Sequence, residues 1–174
     1  MIDVADPESV ARATGQLVAR KEPIDLVLLN AGMQATTLVR NADGAEARHA
    51  ASVVGHHQLT MGLLDAGLLS GEASIVIAGS EAALGDVPSF RPTDLSALAD
   101  SRFDGDLARA AEIVLRNGTE GSFSPNAVYA NAMLFVAWWA ASVSRRGELW
   151  AFGRLPRLGA GQADRALHVV ELDH

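Results

Sequence analysis

Asn126 to Arg145 reads NAVYANAMLFVAWWAASVSR. Val128, Ala132, Phe135, Val136, Trp139, Ala140 and Val143 recur at spacings of three and four, the pattern of a helix with one buried stripe. Pro125 stands just ahead, where a helix start tolerates proline because the first amides have no intrahelical partner. Tyr129 lies near the start of this helix and Met133 one turn later, so the two share a face. The rest of the chain is organised around this helix.

Upstream of it, Asp106 to Arg116 is a second amphipathic helix through Leu107, Ala110, Ala111 and Val114, closed by Asn117-Gly118. The remainder of the long connection from Leu84 to Asn126 is loop-like in its first part, where Pro88, Pro92 and several Asp and Ser residues fall. Two short apolar runs, Ile24 to Leu29 (IDLVLL) and Ser74 to Ala78 (SIVIA), have the pattern of strands buried on both faces in a parallel sheet. The first ends in Asn30-Ala31-Gly32 and the second in Gly79-Ser80, at the strand ends where open α/β sheets place their ligands. Between them runs a long helix from about Ala45 to Leu64, with Gly55 marking close packing and Gly67 and Gly71 bracketing its exit. At the start, Asp6 is an N-cap, Pro7 suits the first helical position, and Val10, Ala13, Thr14, Leu17 and Val18 give a helical stripe. Alternating strands and helices predict an α/β architecture with a parallel sheet.

The chain has 174 residues, 49% hydrophobic and 20% charged, enough for one domain with a real core. Its formal net charge of -7 argues against nucleic acid or an anionic membrane surface as partner. It has no cysteine, so neither a disulfide nor a thiolate metal site can form. With no uninterrupted apolar run of about 18 residues and no basic-then-apolar leader, no membrane span is indicated and a cytoplasmic location is expected.

Several motifs in order resemble the short-chain dehydrogenase/reductase family over Asp3 to Arg146. Asp3-Val4 resembles the pair that contacts the cofactor's adenine ring, and Asn30-Ala31-Gly32 resembles the family's Asn-Ala-Gly. Ile75 to Ser80 resembles the strand that ends in the catalytic serine, and Tyr129 resembles the catalytic tyrosine. The resemblance implies a Rossmann-type parallel sheet flanked by helices, lacking the first βαβ unit. It implies an NAD- or NADP-dependent oxidoreductase acting on a small carbonyl or alcohol. Ser80 and Tyr129 would be the catalytic residues, and Asp3, Val4, Asn30, Ala31 and Gly32 the cofactor side. In the family, the serine steadies the substrate oxygen and the tyrosine exchanges a proton with it. The tyrosine helix often joins a homodimer, which makes a homo-oligomer the expected assembly.

Four departures stand beside the matches. The family's Gly-x-x-x-Gly-x-Gly turn, which offers backbone amides to the cofactor pyrophosphate, does not occur in this sequence. Met133 takes the place of the lysine in Tyr-x-x-x-Lys, so it has no charge to favour tyrosinate, and alcohol oxidation should suffer more than carbonyl reduction. Ser52 takes the place of an asparagine in the long helix. The segment 147–174 does not follow the family's strand and Pro-Gly. One back-translation of Leu155 to Gly161, read one base later, gives Ser-Pro-Gly-Ser-Ala-Pro, which raises the expectation of a frameshift near Gly147. The activity is therefore expected to be impaired, and the alternative is a non-catalytic remnant that acts as an interaction or dimerisation module.

Other features have plainer readings. His56-His57 point different ways on a helix and suit core or surface roles better than a metal pair, so no metal site is expected. Trp138-Trp139 suit core and dimer packing. Asp43, Asp86 and Asp94 are expected to be solvated loop carboxylates. In the family's sheet, the strand Ile24 to Leu29 pairs with a first strand absent here. Its edge is then expected to present unpaired amides beside an apolar surface.

Overall fold

A computed structural model of the chain describes residues 1–33, 35–145 and 150–152. The 147–174 segment, with the expected frameshift, lies outside the described residues apart from Trp150–Phe152.

The Asp6 carboxylate accepts the Glu8 amide at 3.0 Å, and Pro7 opens helix α1 (Pro7–Arg20). Strand β1 (Ile24–Leu29) follows. Helix α2 (Ala47–His49) runs through a widened π-helical turn, Ala50–Gly55, into α3 (His56–Asp65), so the long helix read from the sequence is continuous but broadened in its middle. Gly67, at φ +63, reverses the chain into β2 (Leu69–Ile77). A short 3-10 turn at Glu81–Leu84 follows, then α4 (Leu95–Arg102), α5 (Leu107–Asn117), α6 (Pro125–Arg145) and β3 (Trp150–Phe152).

The three strands form a parallel sheet in the order β1-β2-β3. Val27 pairs with Ile75 and Leu29 with Ile77, so their side chains line one face. Onto that face pack Leu63 of α3 and Met133, Val136 and Ala140 of α6, which form the main core with Val27, Leu29, Ile75 and Ile77. Helix α1 lies against α3, and Gly62 leaves room for Thr14 there. A second cluster, Leu95, Leu98, Ala99, Ala110, Val114 and Phe135, fastens α4 and α5 to the outer side of α6. This is a Rossmann-type α/β fold with its parallel sheet and helices in place.

The structure changes four local readings. β1 is buried on one face only. Val27 and Leu29 are covered, but Leu26 and Leu28 are 61% and 64% exposed, because no described element covers their face. β2 begins at Leu69, earlier than Ser74, and its register against β1 shifts between Ile24 and Leu26, which absorbs the polar Gly71-Glu72 step. α4 occupies part of the stretch read as loop, because its buried apolar set is only Leu95, Leu98 and Ala99. Asp94 is exposed but caps that helix, accepting the Ser96 and Ala97 amides at 3.1 and 3.0 Å. Helix α6 contains a window long and apolar enough to cross a membrane, with mean hydropathy 1.3, yet more than half of it is buried in the domain, as in a core helix.

Among the described strands β1 pairs only with β2, so its other edge and the Leu26/Leu28 face are open together. Such an edge templates pairing with another chain. The expected outcome in analytical ultracentrifugation is a self-associating wild type. The double variant Leu26→Lys/Leu28→Glu should shift the distribution to monomer. A wild type that stays monomeric and melts in one sharp transition contradicts this.

Candidate active site

β1 and β2 end side by side, tied by the Ala78 amide donating to the Leu29 carbonyl at 3.0 Å. From this shared end the chain leaves in two directions. Asn30, Ala31 and Gly32 leave β1 exposed. The position of a Cβ on Gly32 is 3.7 Å from the Ser52 hydroxyl oxygen, so the Asn-Ala-Gly segment passes over the π-helical turn. A methyl group there would make ordinary contact, so packing alone does not demand glycine at 32.

The N-terminal segment meets the same turn. A Cβ on Gly55 would overlap the Val4 carbonyl oxygen and stand 2.8 Å from its carbon, which is the close packing read from the sequence. Asp3 is folded in locally: its amide donates to the Ser9 hydroxyl, and its carboxylate accepts the Ala5 amide, each at 2.9 Å. Val4 and Gly32 therefore both reach the stretch Ser52–Gly55, and Asp3 precedes Val4 with its own bonds staying local. Single π turns inside α-helices are uncommon and are frequent at functional sites.

From the end of β2, Gly79 leads to Ser80, whose extended backbone (φ -154, ψ 148) caps the 3-10 turn Glu81–Leu84. The Ser80 hydroxyl oxygen accepts the Ala82 amide at 3.3 Å, which leaves its proton free to donate to a ligand oxygen. That turn packs on α6, and Ala83 joins Met133 in the core. Tyr129 is half-buried in the second turn of α6, its ring edge-on to Phe90 at 5.8 Å between centroids. Met133, one turn on, is 8% exposed and packs among Val27, Leu29, Ile75 and Ile77. The structure thus brings the Ser80 turn to the Tyr129 helix, and the Asn30–Gly32 and Asp3–Val4 segments to the π turn.

Sequence reasoning missed a buried polar cluster at the start of α2. Glu46 and His49 are wholly buried, and Arg48 is 3% exposed. The Glu46 carboxylate caps the helix, accepting the Arg48 and His49 amides at 3.0 and 3.1 Å and lying 2.9 Å from His49 Nδ1. Burial raises the Glu46 carboxyl, but hydrogen bonds from the His49 ring and amide, with the charges of His49 and Arg48, outweigh it, so its pKa lies below the ordinary value. Arg48 donates to the carbonyl of Pro125 at 2.6 Å and to that of Ala35. Asn131 is likewise buried and spent, accepting the Thr93 amide at 2.6 Å and donating to the Gly118 carbonyl at 2.8 Å. The available signal was periodicity. Glu46, His49, Ser52, His56 and Thr60 recur every three or four residues and are all buried, a polar stripe on the inner face of the broadened helix.

The two adjacent histidines separate as their helix positions require. His57 is exposed and accepts the Trp139 indole N–H at 3.1 Å, whereas His56 is 3% exposed. Neither His56 nitrogen nor the Thr60 hydroxyl has a partner among the described residues. Burial pulls the His56 imidazole down to about 4, against the opposing pull of the Ser52 carbonyl. On the far side of α6, an open apolar groove of about 540 Å³ is lined by Leu107, Ala111, Leu134 and Trp138, and no residue predicted for the site reaches it.

Whether these residues suit a whole dinucleotide is decided at the helix starts. A pyrophosphate needs free backbone amides at a helix N-terminus. Here Asp6, Glu46, Asp94 and Asp106 place their own carboxylates on the first amides of α1, α2, α4 and α5. These four helix starts therefore do not fit a pyrophosphate.

The fold is similar to several solved structures. An uncharacterized protein from Mycobacterium paratuberculosis superposes with TM-score 0.61 at 22% identity, over 83% of this chain and 42% of that one. The 3-alpha-hydroxysteroid dehydrogenase from Pseudomonas sp. B-0831, solved with NADH, gives 0.55 at 22% identity, over 84% of this chain and 53% of that one. The bulky-bulky ketone specific alcohol dehydrogenase from Comamonas testosteroni gives 0.50 at 13% identity, over 86% and 47%. The chain spans about half the length of these structures, and identities this low show a shared fold. No protein-family model and no curated protein matches the chain.

Two outcomes are expected from the geometry. Gly55→Ala should cost about 1–3 kcal/mol in urea denaturation, because backbone on both sides must move apart. The His56 pKa is depressed in the folded state, so its neutral form is the stabilising one. That contribution is complete above the unfolded value near 6.5 and is lost as pH falls towards 4, about 3 kcal/mol in all. Urea denaturation from pH 7.5 to 4.5 should show this loss in the wild type and a flatter profile in His56→Leu.

Proposed function

We propose that the chain carries the serine–tyrosine half of a nicotinamide-dependent oxidoreductase that acts on a small carbonyl or alcohol. One observation carries this reading: the turn that begins at Ser80 is packed against the helix that presents Tyr129, at the carboxyl end of a parallel sheet. The Ser80 hydroxyl, holding its oxygen on the Ala82 amide, would donate to the substrate oxygen. Tyr129 would give that oxygen a proton in carbonyl reduction. Similarity of fold to two dehydrogenases, one of them solved with NADH, supports the class of reaction. The cofactor would be NAD or NADP, with Asp3, Val4, Asn30, Ala31 and Gly32 on its side of the site. The four carboxylate-capped helix starts would not hold its pyrophosphate.

Met133 limits the chemistry. Its thioether is fixed in the core and brings no positive charge to the tyrosine. Carbonyl reduction would therefore be slow and alcohol oxidation slower. The same burial favours a second reading, a non-catalytic remnant that works by association, because the position is filled by packing instead of by a reactive group. A cytoplasmic protein that forms a homo-oligomer through the Tyr129 helix is compatible with either reading.

The test is NADH- and NADPH-dependent reduction of a panel of ketones by the purified chain. Tyr129→Phe should lower the rate at least about 100-fold and Ser80→Ala by a similar order. Met133→Lys should cost about 2–4 kcal/mol of stability, as an ammonium enters an apolar cluster. Absence of cofactor binding and turnover, with a defined oligomer, would establish the non-catalytic reading instead.

A further inference from the structure

The two halves of the proposed site are on chain segments that separate widely in sequence. Asn30-Ala31-Gly32 leaves β1, and Tyr129 sits one helical turn after Pro125. A single side chain touches both departures. Arg48 Nη1 donates to the Pro125 carbonyl at 2.6 Å, and Nη2 donates to the Ala35 carbonyl, three residues beyond Gly32. Its guanidinium also lies 5.6 Å from the centre of the Phe123 ring, in the approach to α6.

The anchoring of this arginine on its own helix is ionic. Its Nε faces Glu46 Oε1 at 3.7 Å, beyond hydrogen-bond reach, and neither atom has a hydrogen-bond partner among the described residues. The other Glu46 oxygen is committed to the helix amides and to His49. The Glu46 amide donates to the Arg116 carbonyl at 2.8 Å, which brings the end of α5 into the same knot. Burial pulls the guanidinium pKa down and the Glu46 charge opposes it. Burying an arginine is costly, and a methionine could fill much of the same space more cheaply. What only arginine supplies is a planar fork that fixes two acceptors at a set separation. Both acceptors here are backbone carbonyls, so the fork sets the position of main chain and not of another flexible side chain.

We propose that Arg48 is the positioning residue of the Ser80–Tyr129 site, fixing the first turn of α6 to the chain that follows Asn30-Ala31-Gly32. The inference rests on the reading of Tyr129 as the proton-exchanging group. Arg48 does not contact the reacting atoms. It sets where the phenol stands relative to the loop on the cofactor side.

Tyr129 is the only tyrosine in the chain, so it reports on its own position without need of activity. The experiment compares wild type, Arg48→Met and Arg48→Lys by amide hydrogen exchange and by the ring resonances of 13C-labelled tyrosine. A control variant, Leu98→Ala in the α4 cluster, is brought to the same global stability by added urea. In Arg48→Met the Val128 amide, bonded to the Ser124 carbonyl, should exchange at least tenfold faster, the backbone resonances of 35–37 should shift or broaden with it, and so should the tyrosine resonance. In Arg48→Lys, which keeps one donor group, only one of the two segments should change. The control should leave the tyrosine signal in place. Exchange that rises evenly along the chain, or a tyrosine signal that moves equally in the control, overturns the proposal. If Arg48→Met does not fold, Arg48→Lys and the control decide the same question. NADH titration of the same samples judges the oxidoreductase reading separately: a wild type that binds none counts against that reading, while the exchange data still decide whether Arg48 couples the two segments.

Discussion

The packing of α6 on one face of a parallel sheet is the constraint on which the rest depends. Met133, Val136 and Ala140 meet Val27, Leu29, Ile75 and Ile77, and burying each larger side chain of this set is worth about 1.5–3 kcal/mol. This contact fixes the height of Tyr129 above the strand ends, since the two residues are one turn apart on the same face. It also fixes the Ser80 turn, because Ala83 is part of the same cluster. Position 133 therefore bears on both stability and chemistry. A methionine there strengthens the apolar contact and brings no charge to Tyr129.

The polar cluster beneath α2 works in the opposite sense. Glu46 and Arg48 bury charge that water would solvate better, and removing one member of such a pair typically costs about 3–5 kcal/mol because the other is left unpaired. The cluster's bonds run to the carbonyls of Ala35, in the chain after β1, of Arg116, in the last turn of α5, and of Pro125, the first residue of α6. Apolar packing positions the helix faces, whereas these directed bonds position two helix ends and the chain after β1. The π turn at Ala50–Gly55 adds a third kind of constraint. It widens the helix where the Val4 backbone, the Gly32 loop and the buried Ser52 hydroxyl converge, and Gly55 has no side chain to keep the Val4 carbonyl away.

The elements legible in the sequence are those with a strong period or a strong cap. α1 has Asp6 and Pro7, α5 has Asp106 and Gly118, and α6 has its long apolar stripe. The strand cores IDLVLL and SIVIA were legible as apolar runs, but whether both faces of β1 are covered depends on partners that no local pattern encodes. α4 escaped because only three of its eight residues are buried apolar ones, which makes a weak period. The placement of Ser80 and of Tyr129 at a strand end and a helix start followed from flanking pattern. The role of Arg48 did not, because its acceptors are backbone carbonyls 13 and 77 residues away, and a carbonyl has no letter in the sequence.

The distribution of exposed apolar surface follows from the same topology. Helices α3 and α6 cover the Val27/Ile75 face, and α4 and α5 are added outside α6, so apolar burial accumulates on one side of the sheet. Leu26 and Leu28 alternate with the buried Val27 and Leu29 and must point the other way, since successive side chains in a strand face opposite sides. Two exposed leucines beside an unpaired edge are therefore not a local defect of β1. They are the counterpart of a well-filled core on the opposite face, and any change that hides them must supply a new layer, a new strand or a charge. A charge prevents pairing without adding stability. A layer or strand does add stability, and also holds the strand ends from which Asn30 and Gly79 depart. The order of the site and the covering of this face are in that sense one problem.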